Sequence, residues 1–319
     1  MNFQRILVLG GTGFVGRAVC NRLVERGGGS GRILVPTRRL AHGMGVQSLP
    51  TVELMPLDVH DDAALARAVS ASDAVINLVA ILHGSAAAFE HVHVELPRRL
   101  ARACQGAGVR RLIHISALGV GAGAPSNYLR SKTAGEAALA AAGLDLTLLR
   151  PSVIFGDEDR FLRLFAELQA VAPLLPLAGQ GTRFQPVWVE DVASAIVRCL
   201  DRPATIGQTY ECAGPQVYTL GQLVALAGRW SGHERTQIPL PGWAGRLQAA
   251  VMEMLPGAPL MSRDNVDSMK VPNVASALLP GLAALGIEPT ALECVAPAYL
   301  GRECARARFG RWRRGAGRG

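Results

Sequence analysis

An apolar run, Arg5-Ile6-Leu7-Val8-Leu9, leads directly into Gly10-Gly11-Thr12-Gly13-Phe14-Val15-Gly16, and an amphipathic stretch continues to about Arg26. The order strand, tight turn, helix start leaves few options. The glycines satisfy G-x-G-x-x-G from Gly11 and G-x-x-G-x-x-G from Gly10. Such spacing lets the backbone turn sharply, approach a pyrophosphate and pack a helix tightly on its strand, while the helix N-terminus supplies amide donors and positive dipole. Gly10 to Gly16 are therefore candidate cofactor-binding residues. A turn that only connects strand and helix is the alternative.

The rest of the chain fits an α/β alternation. Strands are expected at Ile33–Thr37, Val52–Met55, Ala74–Val79, Leu112–Ile115 and Leu146–Leu149, and helices at Asp62–Val69, 86–107 and 126–142. Asp61 and Asp62 suit a helix start. Short βα links of this kind predict a doubly wound parallel-sheet Rossmann fold. After Arg150-Pro151 the pattern loosens. Pro186–Val189 is expected to return to the sheet, with Glu190-Asp191 opening a helix that Asp191 caps. The expected division is a dinucleotide domain at 1–160, rejoined by 184–215. A smaller C-terminal substrate lobe spans 161–183 and 216–301, and a disordered tail 302–319.

At 319 residues, 49% hydrophobic and 18% charged, the chain is globular material with room for a large core. No apolar run reaches membrane-spanning length and no cleavable leader pattern is present. A cytoplasmic protein is expected, with a peripheral position at the inner face of the cell membrane as an alternative. The six cysteines form no C-x-x-C pair and read as reduced thiols. The seven histidines lack metal-ligand spacing, and no metal site is expected. The net charge of +8 is concentrated in residues 302–319, where seven arginines stand against one glutamate. The near-neutral remainder gives no argument for nucleic-acid binding.

Two further motifs bear on chemistry. The end of the second strand reads Pro36-Thr37-Arg38-Arg39. A site for NAD(H) usually places an acidic residue here on the ribose 2′-hydroxyl, whereas Arg38 and Arg39 suit a 2′-phosphate, which favours NADP(H). Next, Tyr128-Leu129-Arg130-Ser131-Lys132 sets a tyrosine and a lysine on one helix face. A neighbouring ammonium stabilises phenolate and is expected to lower the tyrosine pKa. With only two lysines and four tyrosines in the chain, a chance Y-x-x-x-K has a probability on the order of 0.03. Ser116, after the fifth strand, is placed to bond a substrate carbonyl oxygen.

Together with Asp58 and Arg150-Pro151-Ser152-Val153-Ile154-Phe155-Gly156, these motifs resemble the extended and atypical short-chain dehydrogenase/reductases. Four stretches sharpen the likeness: His114–Gly119, Tyr128–Glu136, Pro186–Val192 and Arg263-Asp264-Asn265-Val266-Asp267. Across about residues 3–300 the chain is similar to the nucleotide-binding accessory subunit of respiratory complex I and its bacterial relatives. The resemblance implies a Rossmann domain holding NADPH. It places Asp58 and Val59 near the adenine, and Val79, Ala80, Pro151 and Val153 along the cofactor groove. It makes Tyr128 a general acid/base, Lys132 a ligand of the nicotinamide ribose and Ser116 an orienter of substrate. Two departures stand out: His93 occupies the place where extended members often carry asparagine, and the Ser116–Tyr128 interval is short. The accessory subunit is also thought to hold its nucleotide structurally.

The stretch from Trp243 to Leu255 places Trp243, Leu247, Val251, Met254 and Leu255 on one helix face. Packing on the Rossmann core is the simplest expectation; lining an apolar substrate site or resting on a membrane are the alternatives. Three functions fit the sequence. They are an NADP(H)-dependent oxidoreductase acting on a quinone or other apolar carbonyl, a non-catalytic nucleotide-holding accessory or assembly protein of a quinone-linked complex, and a sugar-nucleotide epimerase/dehydratase. The last would need a second phosphate cluster, for which only Arg160, Arg163 and Arg183 offer themselves.

Overall fold

The structure is a computed structural model that describes residues 3–254, 257 and 259–301; the arginine-rich tail and Leu255 lie outside them. Six strands and five helices build the first half. They run β1 (Arg5–Leu9), α1 (Phe14–Gly27), β2 (Arg32–Thr37), β3 (Val52–Pro56), α2 (Asp62–Ser70), β4 (Ala74–Asn77), α3 (Ala86–Glu90), α4 (Leu96–Ala107), β5 (Arg111–Ile115), α5 (Asn127–Ala140) and β6 (Asp145–Pro151). β1, β2 and β4 are nearly continuous apolar runs because both sheet faces are covered. One face packs on α1 through Ile6, Val8, Ile33 and Ile113, and the other on α2 and α4 through Leu7, Leu9, Val75 and Leu112. Asp61 caps α2 by accepting from Ala64 N at 2.9 Å.

Beyond β6 come β7 (Ile154–Phe155), α6 (Leu162–Val171), β8 (Leu174–Ala178), β9 (Arg183–Phe184), β10 (Val187–Trp188), α7 (Val189–Asp201) and β11 (Thr209–Cys212). The chain continues with β12 (Tyr218–Thr219), α8 (Leu220–Ser231), β13 (Thr236–Leu240), α9 (Gly242–Glu253), α10 (Arg263–Ser268) and α11 (Leu292–Leu300). The main sheet has seven parallel strands in the order β11-β6-β5-β4-β1-β2-β3. Strand order reverses between β1 and β4, where doubly wound sheets open a crevice at their carboxyl ends. A separate apolar cluster, including Phe155, Phe165, Leu177, Leu223 and Tyr299, joins α6, β8, α8 and α11.

Three expectations need correction. The Pro186–Val189 segment does not join the main sheet, since β10 pairs only with β7; the strand that returns is β11, on the free edge of β6. Asp191 does not cap α7. It accepts from Thr290 N at 2.7 Å and from the Thr290 hydroxyl, so it anchors the approach to α11. The third concerns α9, which turns its small residues inward: Gly245 and Ala249 are buried, and a Cβ on Gly245 would collide with that of Ala178. Its large apolar residues face outward, because only a side chain without bulk lets the helix approach β8 so closely.

The sheet also buries a charge. Arg111 on β5 is 2% exposed, and its guanidinium donates to the carbonyls of Asp145 and Cys199 and to the Thr205 hydroxyl.

Candidate functional site

The glycine turn lies where β1 and β4 part. Gly10 has φ +82°, and a Cβ there would stand 3.2 Å from the Leu78 carbonyl carbon and 3.3 Å from Val79 N. A Cβ on Gly16 would lie 2.5 Å from Gly11 Cα, so Gly16 is the glycine that seats α1 on the turn. Gly11 is buried against Val35, whose side chain a Cβ would meet at 2.9 Å. Gly13 is different: it is exposed and starts α1, with no side-chain cap and no acidic residue in the first turn. Uncapped amides with that dipole behind them suit an anion. Thr12, Phe14 and Val15 are half-buried around it, and the Phe14 ring closes on Gly156.

Arg38 and Arg39 are exposed at the end of β2, with no carboxylate between Thr37 and Arg39. The Arg38 charge reaches His60, whose imidazole is lowered chiefly by burial and then by His91. His60 stacks on His91 with ring centres 4.2 Å apart. Asp58, exposed after β3, accepts from His60 N at 3.0 Å, and Val59 beside it packs on the α2/α4 core. After β4, Val79 N donates to Asn77 Oδ1 at 3.2 Å and Ala80 is exposed. All these residues line up along the carboxyl ends of β1 to β4.

The other group gathers at the end of β5. Ser126 caps α5, which brings in Tyr128 and, one turn on, Lys132. Lys132 is 2% exposed, and its Nζ donates to the Ile115 carbonyl at 2.8 Å, next to Ser116. Burial pushes its ammonium down to about 8, against an opposing pull from Glu136. That carboxylate is itself held by Arg150 at 2.5 and 2.9 Å. Ser116 is buried, and its hydroxyl has no partner among the described residues. Tyr128 sets its ring edge-on to His93 at 5.4 Å.

One expectation fails here. Burial pushes the Tyr128 phenol up to about 12, and no lowering by Lys132 offsets it. The ammonium is engaged by the Ile115 carbonyl, and desolvation of the phenolate wins.

Beneath this pair lie two imidazoles held neutral. His114 Nδ1 is 3.1 Å from Asn77 Nδ2. Because Asn77 Oδ1 already accepts from Val79, the amide nitrogen donates, and the proton sits on His114 Nε2, which has no partner among the described residues. His93 Nε2 accepts from Ile81 N at 3.1 Å, so Nδ1 donates to the Ser131 hydroxyl at 2.9 Å. That hydroxyl in turn donates to the Tyr128 carbonyl at 2.8 Å. His93 is pushed down to about 3, first by burial and then by Lys132. It sits in a π-helical turn, His91–Glu95, between α3 and α4; a side chain on Gly135 would strike the His93 carbonyl. Such a turn inserts one residue into a helix, and here it pushes the His93 backbone toward α5.

Two residues at the site escape sequence reasoning. Asp264 on α10 accepts from Asn127 N at 2.7 Å and from Tyr128 N at 3.0 Å, so a carboxylate from the far end of the chain caps the helix that carries Tyr128. Its signal was the Arg263–Asp267 motif, which spacing alone could not connect to α5. Asn273 fixes the segment after β6: its Oδ1 accepts from the Ser152 hydroxyl at 2.6 Å and from Val153 N at 2.9 Å. Pro151 just before it accepts from Leu118 N at 2.9 Å, tying this segment to the loop after Ser116.

A seven-stranded parallel sheet with a glycine turn at its switch point defines a Rossmann-type fold. The chain belongs to the NAD dependent epimerase/dehydratase family, whose pattern matches residues 6–218. Among curated proteins it is 35% identical over 299 residues to NADH dehydrogenase [ubiquinone] 1 alpha subcomplex subunit 9, mitochondrial, of Mus musculus, covering 90% of this chain and 77% of that one. It is 30% identical over 193 residues to the ceramide reductase of Caulobacter vibrioides, covering 60% and 59% of the two. Among solved structures, dTDP-glucose 4,6-dehydratase from Streptomyces venezuelae with NAD and TYD bound shares the fold, with TM-score 0.73, 20% identity and 98% of each chain covered.

Proposed function

We propose that this chain is an NADP(H)-dependent oxidoreductase that reduces a carbonyl on an apolar substrate, such as a quinone or lipid-like ketone. The observation that carries the proposal is a buried lysine beside an unpartnered, buried serine hydroxyl, with a tyrosine one helical turn away. A buried hydroxyl without a partner is costly to keep and suits a ligand oxygen. Residues 1–160 and 184–215 form the cofactor half, and 161–183 with 216–301 the substrate half.

The residues present fit a nicotinamide dinucleotide. The uncapped amides of the first turn of α1, after Gly13, suit the pyrophosphate, Arg38 and Arg39 the 2′-phosphate, Asp58 and Val59 the adenine, and Val79, Ala80, Pro151 and Val153 the groove. When bound, NADPH supplies the hydride for the carbonyl carbon. Ser116 donates a hydrogen bond to the carbonyl oxygen, and Tyr128 passes its phenolic proton to that oxygen as the C=O bond becomes a C–O–H. The phenol enters the step protonated, as a proton donor must. Lys132, buried beside Ser116, would hold the nicotinamide ribose through its hydroxyls. The reductase name carried by a 30% identical relative supports the direction.

A second reading has its own support. The mitochondrial relatives that match along most of the chain are respiratory-complex subunits, which favours a nucleotide held for structure. One experiment separates the two. The nucleotide released from the denatured pure protein is identified by mass spectrometry, and NADPH oxidation is then followed with short-chain quinones and apolar ketones. We expect exchangeable NADP(H), turnover, and a loss of at least about a hundredfold in Tyr128→Phe with NADPH binding intact. Tightly retained nucleotide, with no turnover and an unaffected Tyr128→Phe, would establish the structural role. Released NAD(H) would overturn the assignment of Arg38.

A further inference from the structure

Two tethers hold the loop after β4 beside Tyr128. Ile81 N donates to His93 Nε2 at 3.1 Å, and the His93 ring lies 5.4 Å from that of Tyr128. From the other side Asn265 Nδ2 donates to the Leu82 carbonyl at 3.4 Å, on the same helix, α10, whose Asp264 caps Tyr128. His83 follows. It is half-buried, and its Nδ1 is shielded from water with no partner among the described residues. Its imidazole is pushed down first by burial and then by the Arg160 guanidinium, against a hydrogen bond with Asn265. Arg160 itself is an exposed cation whose neighbouring acids are all engaged elsewhere. Asp157 pairs with Arg163 at 3.4 Å and Glu158 with Arg17. Asp159 accepts from Phe161 N at 2.9 Å, from Leu162 N at 2.7 Å and from the Tyr299 hydroxyl. Among the described residues no carboxylate pairs with Arg160.

We propose that Arg160 and His83 together hold the anionic end, a carboxylate or a phosphate monoester, of an amphiphilic substrate whose carbonyl lies at Ser116 and Tyr128. The inference rests on the reading that this cleft takes a carbonyl substrate, and it narrows the class. A guanidinium with no carboxylate of its own presents a planar fork to an anion, and charge-assisted bonds of that kind are the strong ones. The imidazole beside it adds a ring nitrogen that has no partner among the described residues. One cation and one imidazole suit a single anionic group and are too few for a diphosphate. Leu82, next to His83, is 56% exposed and gives the apolar chain of such a substrate a wall to lie on. The three segments that meet here come from both halves of the molecule, so the subsite spans the cleft from the loop after β4 to the segment after β7.

Calorimetric titration of the full-length, nucleotide-bound protein with three medium-chain methyl ketones tests it. They are oxodecanoate, oxodecyl phosphate and the methyl ester of the first. We expect at least one of the two anions to bind about tenfold or more tightly than the uncharged ester, and the tighter of the two identifies the headgroup. Arg160→Gln should reduce that ratio to about threefold or less, and Arg160→Lys should restore part of it. Arg160 is exposed, so both variants should melt at the wild-type temperature. NADPH oxidation followed on the same samples separates this inference from the reading beneath it: anion-selective binding without turnover would retire the reductase and keep the subsite. Three results would overturn the proposal: an ester that binds as tightly as both anions, a preference for the anion that survives in Arg160→Gln, or no detectable binding of any of the three.

Discussion

Replacing Lys132 with methionine should make the protein more stable and useless at its site. An ammonium displaced from its ordinary 10.5 to about 8 costs roughly 3 kcal/mol to keep charged at pH 7. Methionine has similar length and no charge to desolvate. It forfeits the bond to the Ile115 carbonyl, worth about 1–2 kcal/mol. A net gain of about 1–2 kcal/mol remains, or about 2–3 °C in Tm for a chain of this size. The pH dependence gives a sharper signature. A lysine whose folded pKa lies below its unfolded one contributes fully above about pH 10.5, and that contribution is lost as pH falls through about 8. The stability gap between variant and wild type should therefore be widest near neutrality and close toward pH 10.5. Buried cysteines and tyrosines also alter alkaline stability, but they do so equally in both proteins and drop out of the difference. Thermal melts by circular dichroism at several pH values measure it, and NADPH titration should show affinity reduced at least about tenfold. A variant at least 1 kcal/mol less stable at pH 7, or a gap that does not change with pH, would refute the reasoning.

The glycine turn offers a paired contrast. Gly13→Ala, whose added Cβ meets only the Gly10 carbonyl at 3.2 Å, should fold with a near-normal Tm and lose about tenfold or more in dinucleotide affinity by fluorescence titration. Gly16→Ala drives its Cβ into the turn backbone and should fail to give soluble protein at all. At the other end of the chain, Asp264→Ala should cost about 1–2 kcal/mol in urea unfolding by uncapping α5; a change under about 0.3 kcal/mol would mean that Ser126 caps the helix sufficiently alone.

The first half of the fold could be read directly because its signals are local. Ile6–Leu9, Ile33–Val35 and Leu112–Ile113 are uninterrupted apolar runs that only a doubly covered parallel strand requires. The glycine spacing and the Tyr128/Lys132 pair are likewise readable within a few residues. What escaped depends on distant partners. The two-residue strands β7, β9, β10 and β12 are too short to carry a period. Asp191 looked like a cap because it opens a helix, but its partner, Thr290, lies in a different segment. The raised pKa of Tyr128 is not legible in the sequence, which shows that Lys132 is near without showing that the Ile115 carbonyl engages it. The stripe on α9 was visible as a period, but a period does not say which way a face points; Gly245 against Ala178 decided that.

The place of β11 on the sheet also has a consequence during translation. β6 ends at Pro151, and the strand that covers its edge is not complete until Cys212. At typical elongation speeds the nascent chain carries that open edge for roughly 3–12 s. In the same interval the Arg111 guanidinium waits for Cys199 and Thr205, two of its three buried acceptors. A released fragment ending near residue 160 would expose both defects permanently, and an unpaired apolar edge is a template for aggregation. The first half of the sheet therefore cannot be harvested as an autonomous module by cutting after β6; it matures only when the ribosome has delivered the strand that seals it.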